Sequence, residues 1–237
     1  SYAQGYEIKP GGTANAQLIA EAVENARKAD VAIVVGGWTH GYRYDVWKDN
    51  AYDAEDVDKP DMQMPFGQNE LIEAVLKANP KTIVVLLGGG AIDMSRWIGN
   101  TPAILQAWYP GMEGGHAIAD VLLGDAEPAG RLPVAIPHRG ADLPVLDWDA
   151  STAVYDRWSG QRKLDRDGVP AAYPLGFGLG YSTFALTDLT FGSVQDQYLD
   201  VSVSVTNTGG AAGRHVVQVY AARACNTGRT VRTLLGF

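Results

Sequence analysis

Cysteine is nearly absent from these 237 residues, Cys225 being the single one. One thiol excludes an internal disulfide and any zinc site built on several cysteines, and it leaves the redox compartment undecided. Histidine is sparse too. The four residues at 40, 116, 138 and 215 show no HxxxH-type spacing, so a histidine-based metal site is not expected. No apolar run approaches the roughly 20 residues that a membrane-spanning helix needs. Basic residues are in deficit, 19 against 27 acidic for a net charge of −8, which argues against nucleic acid or an anionic membrane as a partner. Dinucleotide chemistry lacks its signature: LLGGG (86–90) and GFGLG (176–180) have the wrong spacing for GxGxxG, and no helix pattern follows Gly180. A GxSxG nucleophile elbow is also missing. The expectation is therefore no metal and no cofactor. The chain opens on Ser1 without a charged-then-apolar leader and stops in VRTLLGF, which reads as a strand. It is expected to be a piece of a longer protein, cut at both ends. Localisation stays open, with an extracellular or periplasmic place favoured over a cytoplasmic one.

What is present is the composition of an ordinary soluble globular protein, 46% hydrophobic and 19% charged, at a length that suits one large domain or two smaller ones. Apolar spacing predicts a helix over about 14–29, with Leu18, Ile19, Ala22, Val23 and Ala26 on one face, and a second over about 66–78, with Leu71, Ile72, Val75 and Leu76 inward. The runs VAIVV (31–35), TIVVLLGGG (82–90) and ILQAW (104–108) read as short, wholly apolar strands of a parallel sheet covered on both faces, and RLPVAIP (131–137) reads as one more. Between the last two lies WYPGMEGGHAIADVLLGDAEPAGRLP (108–133). This is a turn, then a helix with Glu113 at its positive end and a buried stripe of Ala117, Ile118, Val121 and Leu122, then a second turn. Helices alternating with buried strands indicate an open α/β fold, in which ligands sit beyond the C-terminal strand ends.

After Pro137 the pattern breaks into a Pro/Gly-rich, charged segment. From about Phe184 the period becomes two: YLDVSVSVTNTGG (198–210) places Leu199, Val201, Val203 and Val205 on one side, with HVVQVYAA (215–222) as a partner strand. The organisation expected is an α/β sandwich domain over 1–140 with its first strand missing, a connecting segment over 141–183 that completes it, and a partial antiparallel β-sandwich over 184–237.

The stretch from Gly36 to Pro65 has neither period, and structureless loops of roughly 30 residues in a compact domain are either functional or disordered. It contains two Trp and three Tyr, too many aromatics for plain disorder. Aromatic faces among carboxylates and amides suit a sugar; packing against a neighbouring domain is equally compatible. Asp45, Asp49, Asp53, Glu55, Asp56, Asp58 and Asp61 crowd this loop. They form either a solvated acidic surface or a site where mutual repulsion keeps one carboxyl protonated as an acid catalyst. A calcium site is not expected, since the DxDxDG pattern with its Glu is missing.

Several ordered segments together resemble the C-terminal part of glycoside hydrolase family 3, the family of many β-glucosidases: ADVAIVVGG, MPFGQNELIEAV, NPKTIVVLLGGGAIDM, AILQAWYPGMEGGHAIADVLLGDAEPAGRLPVAIP, DRWSGQRKLDRDG, YPLGFGLGYSTF and VSVSVTNTGGAAGRHVVQVY. The resemblance implies a retaining, exo-acting β-glycosidase built from a (β/α)8 barrel, an α/β sandwich and a fibronectin-type-III-like sandwich. It places the nucleophilic Asp in the barrel, outside this chain. The acid/base Glu falls in the long loop within a pattern like EGxDRxxLxLP, which aligns with residues 55–65 and puts Glu55 at the catalytic position. The sequence departs from that pattern at Asp56, in place of Gly, and at Lys59, in place of Arg. Some relatives carry the Glu about ten residues earlier, which leaves Asp45 as runner-up. Trp38, Tyr42, Tyr44 and Trp47 are the candidates for stacking on the substrate. The expected partners are a β-glycoside and the barrel of the same protein. The competing reading is a non-catalytic carbohydrate-binding or structural relative.

Overall fold

The structure is a computed structural model that describes residues 1–9, 11–38, 61–145, 147, 150–196, 198–224 and 228–237. Its first part is a three-stranded parallel sheet of β1 (Ala32–Gly37), β2 (Thr82–Leu87) and β3 (Ala103–Trp108), in the order β1-β2-β3. Helix α1 (Ala16–Arg27) starts at Asn15, whose Oδ1 accepts the backbone N–H groups of Gln17 and Leu18 at 3.0 and 3.3 Å. Helix α2 (Gln68–Ala78) follows two left-handed residues, Phe66 (φ 64°) and Gly67 (φ 71°), so the chain turns sharply into it. All four apolar positions predicted inward, Leu71, Ile72, Val75 and Leu76, are buried. Each such side chain contributes about 1.5–3 kcal/mol on leaving water. They pack on Val84 and Leu86 of β2, with Ala26 of α1 and Trp97 completing the core. At the far end Asn79 donates from Nδ2 to the carbonyls of Ala26 and Ala29, at 3.0 and 2.9 Å, tying the end of α1 to the start of β2.

Several expectations need correction. β1 is covered on one face only, with Ile33 and Val35 remaining 52% and 46% exposed; α1 packs chiefly on α2 and leaves that face open. The stretch 131–137 is not a sheet strand: it makes one antiparallel bridge, Ile136 to Tyr173, because Pro133 and Pro137 remove the donors a ladder requires. Helix α3 (Gly114–Leu123) forms where predicted, but its stripe is not buried. Ala117 is exposed, and Ile118, Val121 and Leu122 are half-buried. Gly114 packs against Pro110 of its own turn, at 2.5 Å from where a Cβ would sit, whereas Gly115 faces open space. Gly115→Ala is therefore expected to stabilise the full-length protein by about 0.5–1 kcal/mol, through helix propensity alone. Thermal unfolding checks this, and a lowered midpoint would mean that a neighbour occupies that face.

Helix α4 (Gly160–Asp167) follows, and a second part is formed by two antiparallel pairs, β4 (Phe184–Gln195) with β5 (Tyr198–Asn207) and β6 (Val219–Ala224) with β7 (Thr230–Gly236). Among the described residues β5 pairs with β4, not with 215–222, and the partner strand expected there starts only at Val219. Val201 and Val203 are half-buried, while Leu199 and Val205 are exposed, so half of the expected inward row lacks a covering layer. Glu127 links the two parts, accepting the backbone N–H groups of Ser182 (3.3 Å) and Arg214 (2.6 Å).

Helix α4 is held to β7 by Asp165, which receives Arg232 through both carboxylate oxygens; burial raises its pKa, but the bonds from Arg232 outweigh that and hold it below the usual range. Asp167, hydrogen-bonded by Arg166 and Lys163 (both at 2.7 Å), is brought down to about 2. A lowered folded pKa means stability that is present above the unfolded value near 4 and lost as pH falls toward 2. Asp167→Asn is expected to lower stability at neutral pH by roughly 1 kcal/mol or less, the scale of a solvent-screened pair. The difference from the parent should close between about pH 4 and 2 in a thermal-midpoint series. A constant difference across that range would show that charge is not its source.

Candidate functional site

The C-terminal ends of β1 and β2 are the place where an open α/β sheet presents its loops. Here β1 ends in Gly36-Gly37 and runs into Trp38, while β2 ends at Leu87 and turns through Gly88-Gly89-Gly90. The two ends touch so closely that side chains have no room. A Cβ on Gly37 (φ 135°) would lie 1.8 Å from the Leu87 carbonyl oxygen, and one on Gly88 (φ 149°) 2.4 Å from the Trp38 ring. Trp38 extends the ladder by donating its N–H to Leu87 O at 2.9 Å.

Polar side chains from the first turn of α2 fill the space beside these ends. Gln68 is 1% exposed and bonds Gly37 twice, accepting its N–H at 2.7 Å and donating to its carbonyl at 2.9 Å. Asn69, also buried, accepts the indole N–H of Trp97 at 2.9 Å and donates to Gln63 Oε1 at 3.4 Å. Gln63 Nε2 donates to Asp93 Oδ2 at 2.8 Å; the other oxygen of Asp93 accepts the Ser95 N–H at 2.9 Å, and the backbone N–H of Asp93 donates to Met62 O at 2.8 Å. Arg96 forks between Glu70 and Glu73 at 2.6–2.9 Å and holds the Glu70 carboxyl below the usual carboxylate range. The loop after β2 is thus tied to α2 on its outer side as well. Met62, Met64 and Phe66 are buried beneath this network.

Chemically, these side chains are taken up by one another and by backbone groups, an arrangement that orients the chain. Glu55, Asp45, Tyr42, Tyr44 and Trp47 lie outside the described residues. Trp38 is described, and at 6% exposure its ring packs in the core. His116, 87% exposed at its side chain, pairs with Glu113 at 2.6 Å on the surface of α3. A cleft of about 750 Å³ lies elsewhere, between residues 1–8, α1 and β1, and its lining holds no carboxylate, histidine or cysteine. Among the described residues no cluster of three or more His, Cys, Asp or Glu could hold a metal ion, and no helix is long and apolar enough to cross a membrane. Residue patterning did not single out Gln63, Gln68, Asn69, Asp93 or Trp97. Gln68 carried a readable signal: it shares the i, i+4, i+7 face of Ile72 and Val75, a polar residue on a buried stripe.

The chain matches the family model described as the glycosyl hydrolase family 3 C-terminal domain over residues 6–181. It is 41% identical over 225 residues to a β-glucosidase of Rhizobium radiobacter, a match that covers 90% of this chain and 26% of that protein. Among solved structures it is similar to a family 3 β-glucosidase of Bifidobacterium adolescentis, with a TM-score of 0.85 and 32% identity over 100% of this chain and 34% of the other. It is also similar to a β-glucosidase of Kluyveromyces marxianus crystallised with glucose, with a TM-score of 0.80 and 37% identity over 93% and 26% of the two chains. The chain spans between a quarter and a third of the length of these relatives.

Proposed function

From the premise that this chain belongs to glycosyl hydrolase family 3 and corresponds to its C-terminal domain, we propose that it is part of a retaining, exo-acting β-glucosidase. The whole enzyme hydrolyses terminal sugars from β-glycosides. In this reading the chain supplies the acid/base loop, and an N-terminal (β/α)8 barrel of the same protein carries the nucleophilic Asp. The observation that carries the reading is the 36–65 stretch, rich in carboxylates and aromatics, leaving the sheet at the C-terminal end of β1 in a chain whose relatives are β-glucosidases. The three-part division at about 140 and 183 belongs to the same proposal.

Retention calls for two carboxyl groups roughly 5–5.5 Å apart. Glu55, kept protonated by the surrounding negative charge, gives its proton to the glycosidic oxygen as the barrel Asp attacks C1. The leaving group departs with that proton and a covalent glycosyl-enzyme forms. Glu55, now ionised, takes a proton from water, which attacks C1 and frees the sugar with its configuration kept. Tyr42, Tyr44 and Trp47 supply stacking faces, with Trp38 at the root of the loop. The second reading, a relative without catalysis, is favoured by Asp56 and Lys59, since Lys cannot reproduce the bidentate fork of Arg.

Full-length protein incubated with an aryl β-glucoside, followed by proton NMR, tests the proposal. The expected first product is β-glucose, with the α-anomeric substrate untouched. No turnover of either glycoside would favour the non-catalytic reading.

A further inference from the structure

We infer that Gln68, together with Asn69, Gln63 and Asp93, is a positioning clamp for the acid/base loop, holding the chain on both sides of residues 39–60; this rests on the proposed catalytic role of that loop. A buried primary amide costs folding energy unless its donor and acceptor are both paired. Gln68 spends both on the backbone of one residue, Gly37. Trp38, the next residue, donates to Leu87 of β2. Gly37 therefore presents its N–H and C=O on the opposite edge, where a neighbouring strand would bond. Gln68 stands in for that strand's peptide at the last position before the loop begins. Gly36 makes room for it, because a Cβ there would lie 2.5 Å from Gln68 Oε1.

The next residue of the same helical turn holds the loop's other end. Asn69 is fixed by Trp97, itself 1% exposed, and passes that fixity through Gln63 to Asp93, whose own N–H bonds Met62. Two adjacent residues at the start of one helix thus set where the chain leaves β1 and where it returns. An acid must stand within roughly 2.6–3.2 Å of the oxygen it protonates. A shift of about 1 Å can cost around 100-fold in rate. Satisfying buried backbone would need only the bonds to Gly37; the path continuing to the far end of the loop is what marks positioning.

The test uses the full-length enzyme and kcat/KM, which reports the glycosylation step. A dinitrophenyl β-glucoside loses its leaving group without protonation, whereas an alkyl β-glucoside requires the acid. Gln68→Leu is expected to lower kcat/KM on the alkyl glucoside about 10-fold or more beyond its effect on the dinitrophenyl glucoside. Gln63→Met, at an exposed position, should shift the same ratio in the same direction. An equal loss on both substrates, the signature of less folded enzyme, overturns the clamp. Glu55→Gln is measured alongside. If Glu55→Gln shows no leaving-group dependence, the loop's catalytic role falls; if it does and the Gln63 and Gln68 variants do not, only the clamp falls.

Discussion

Glu55→Gln in the full-length protein is expected to lower kcat/KM on a β-glucoside with a poor leaving group by roughly 10²–10⁴-fold, the usual worth of a positioned general acid. The amide keeps the size of the carboxyl but cannot donate a proton to a departing alkoxide. On a dinitrophenyl glucoside kcat/KM should hardly change, because that leaving group needs no proton. Its kcat should fall, since the second step has lost the base that activates water. Added azide, which attacks the glycosyl-enzyme without a base, should restore kcat and yield the β-glycosyl azide. Asp45→Asn serves as comparison and is expected to leave the leaving-group dependence alone. If Asp45→Asn rather than Glu55→Gln acquires azide rescue, the runner-up is the acid. If hydrolysis survives both changes, this loop does not supply it.

Gly37→Ala is expected to be among the most damaging single changes to stability. The Cβ would sit 1.8 Å from Leu87 O, an atom fixed by the β1–β2 ladder, at a backbone φ of 135° that residues with a Cβ rarely adopt. Neither party is a flexible side chain, so relief requires the strands to part at the mouth of the site. Strained backbone alone costs about 1–3 kcal/mol, and the clash adds to it. The expected result is little soluble full-length protein, or a thermal midpoint lowered by many degrees. Gly36→Ala is the instructive contrast, since its Cβ would clash with the Gln68 amide at 2.5 Å and otherwise make an ordinary contact with Met64 Sδ at 3.9 Å. The Gln68 side chain can retreat, so the protein should fold while losing the bonds to Gly37. Equal stability of Gly37→Ala and the parent would mean that the two strand ends are not packed as described.

Much of the architecture is legible in the residue pattern. Local periodicity located α1, α2, α3 and the three strands, because apolar residues at 3.6 or in short continuous stretches favour helices or strands; only β2 is buried along most of its length, while β1 alternates and β3 is at most half-buried. The family signature Trp108–Pro133 folds as the turn, helix and turn that its Pro and Gly residues demand, and it frames the sheet without holding any of the site's polar network. The failures have a common cause. Whether Ile33, Val35, Ile118 or Leu199 is covered depends on what lies across from it, and a residue's own pattern is silent about its opposite. For 131–137, apolar content outvoted two prolines, although ladder donors, not hydropathy, decide membership of a sheet.

Composition, charge and motif order, by themselves, determined that this is an acidic α/β chain with family 3 character, and they pointed to the carboxylates of 36–65 as the candidates for its chemistry. Those conclusions need only residue identities and short spacings. Tertiary structure alone decided how the ends of that stretch are held. Gln68 meets Gly37, and Asp93 meets Met62 and Gln63, across roughly 30 positions of sequence. Hydrogen bonds of that kind arise from packing a helix turn against two strand ends. Most of their partners are backbone atoms that every residue possesses, so residue patterns do not name them.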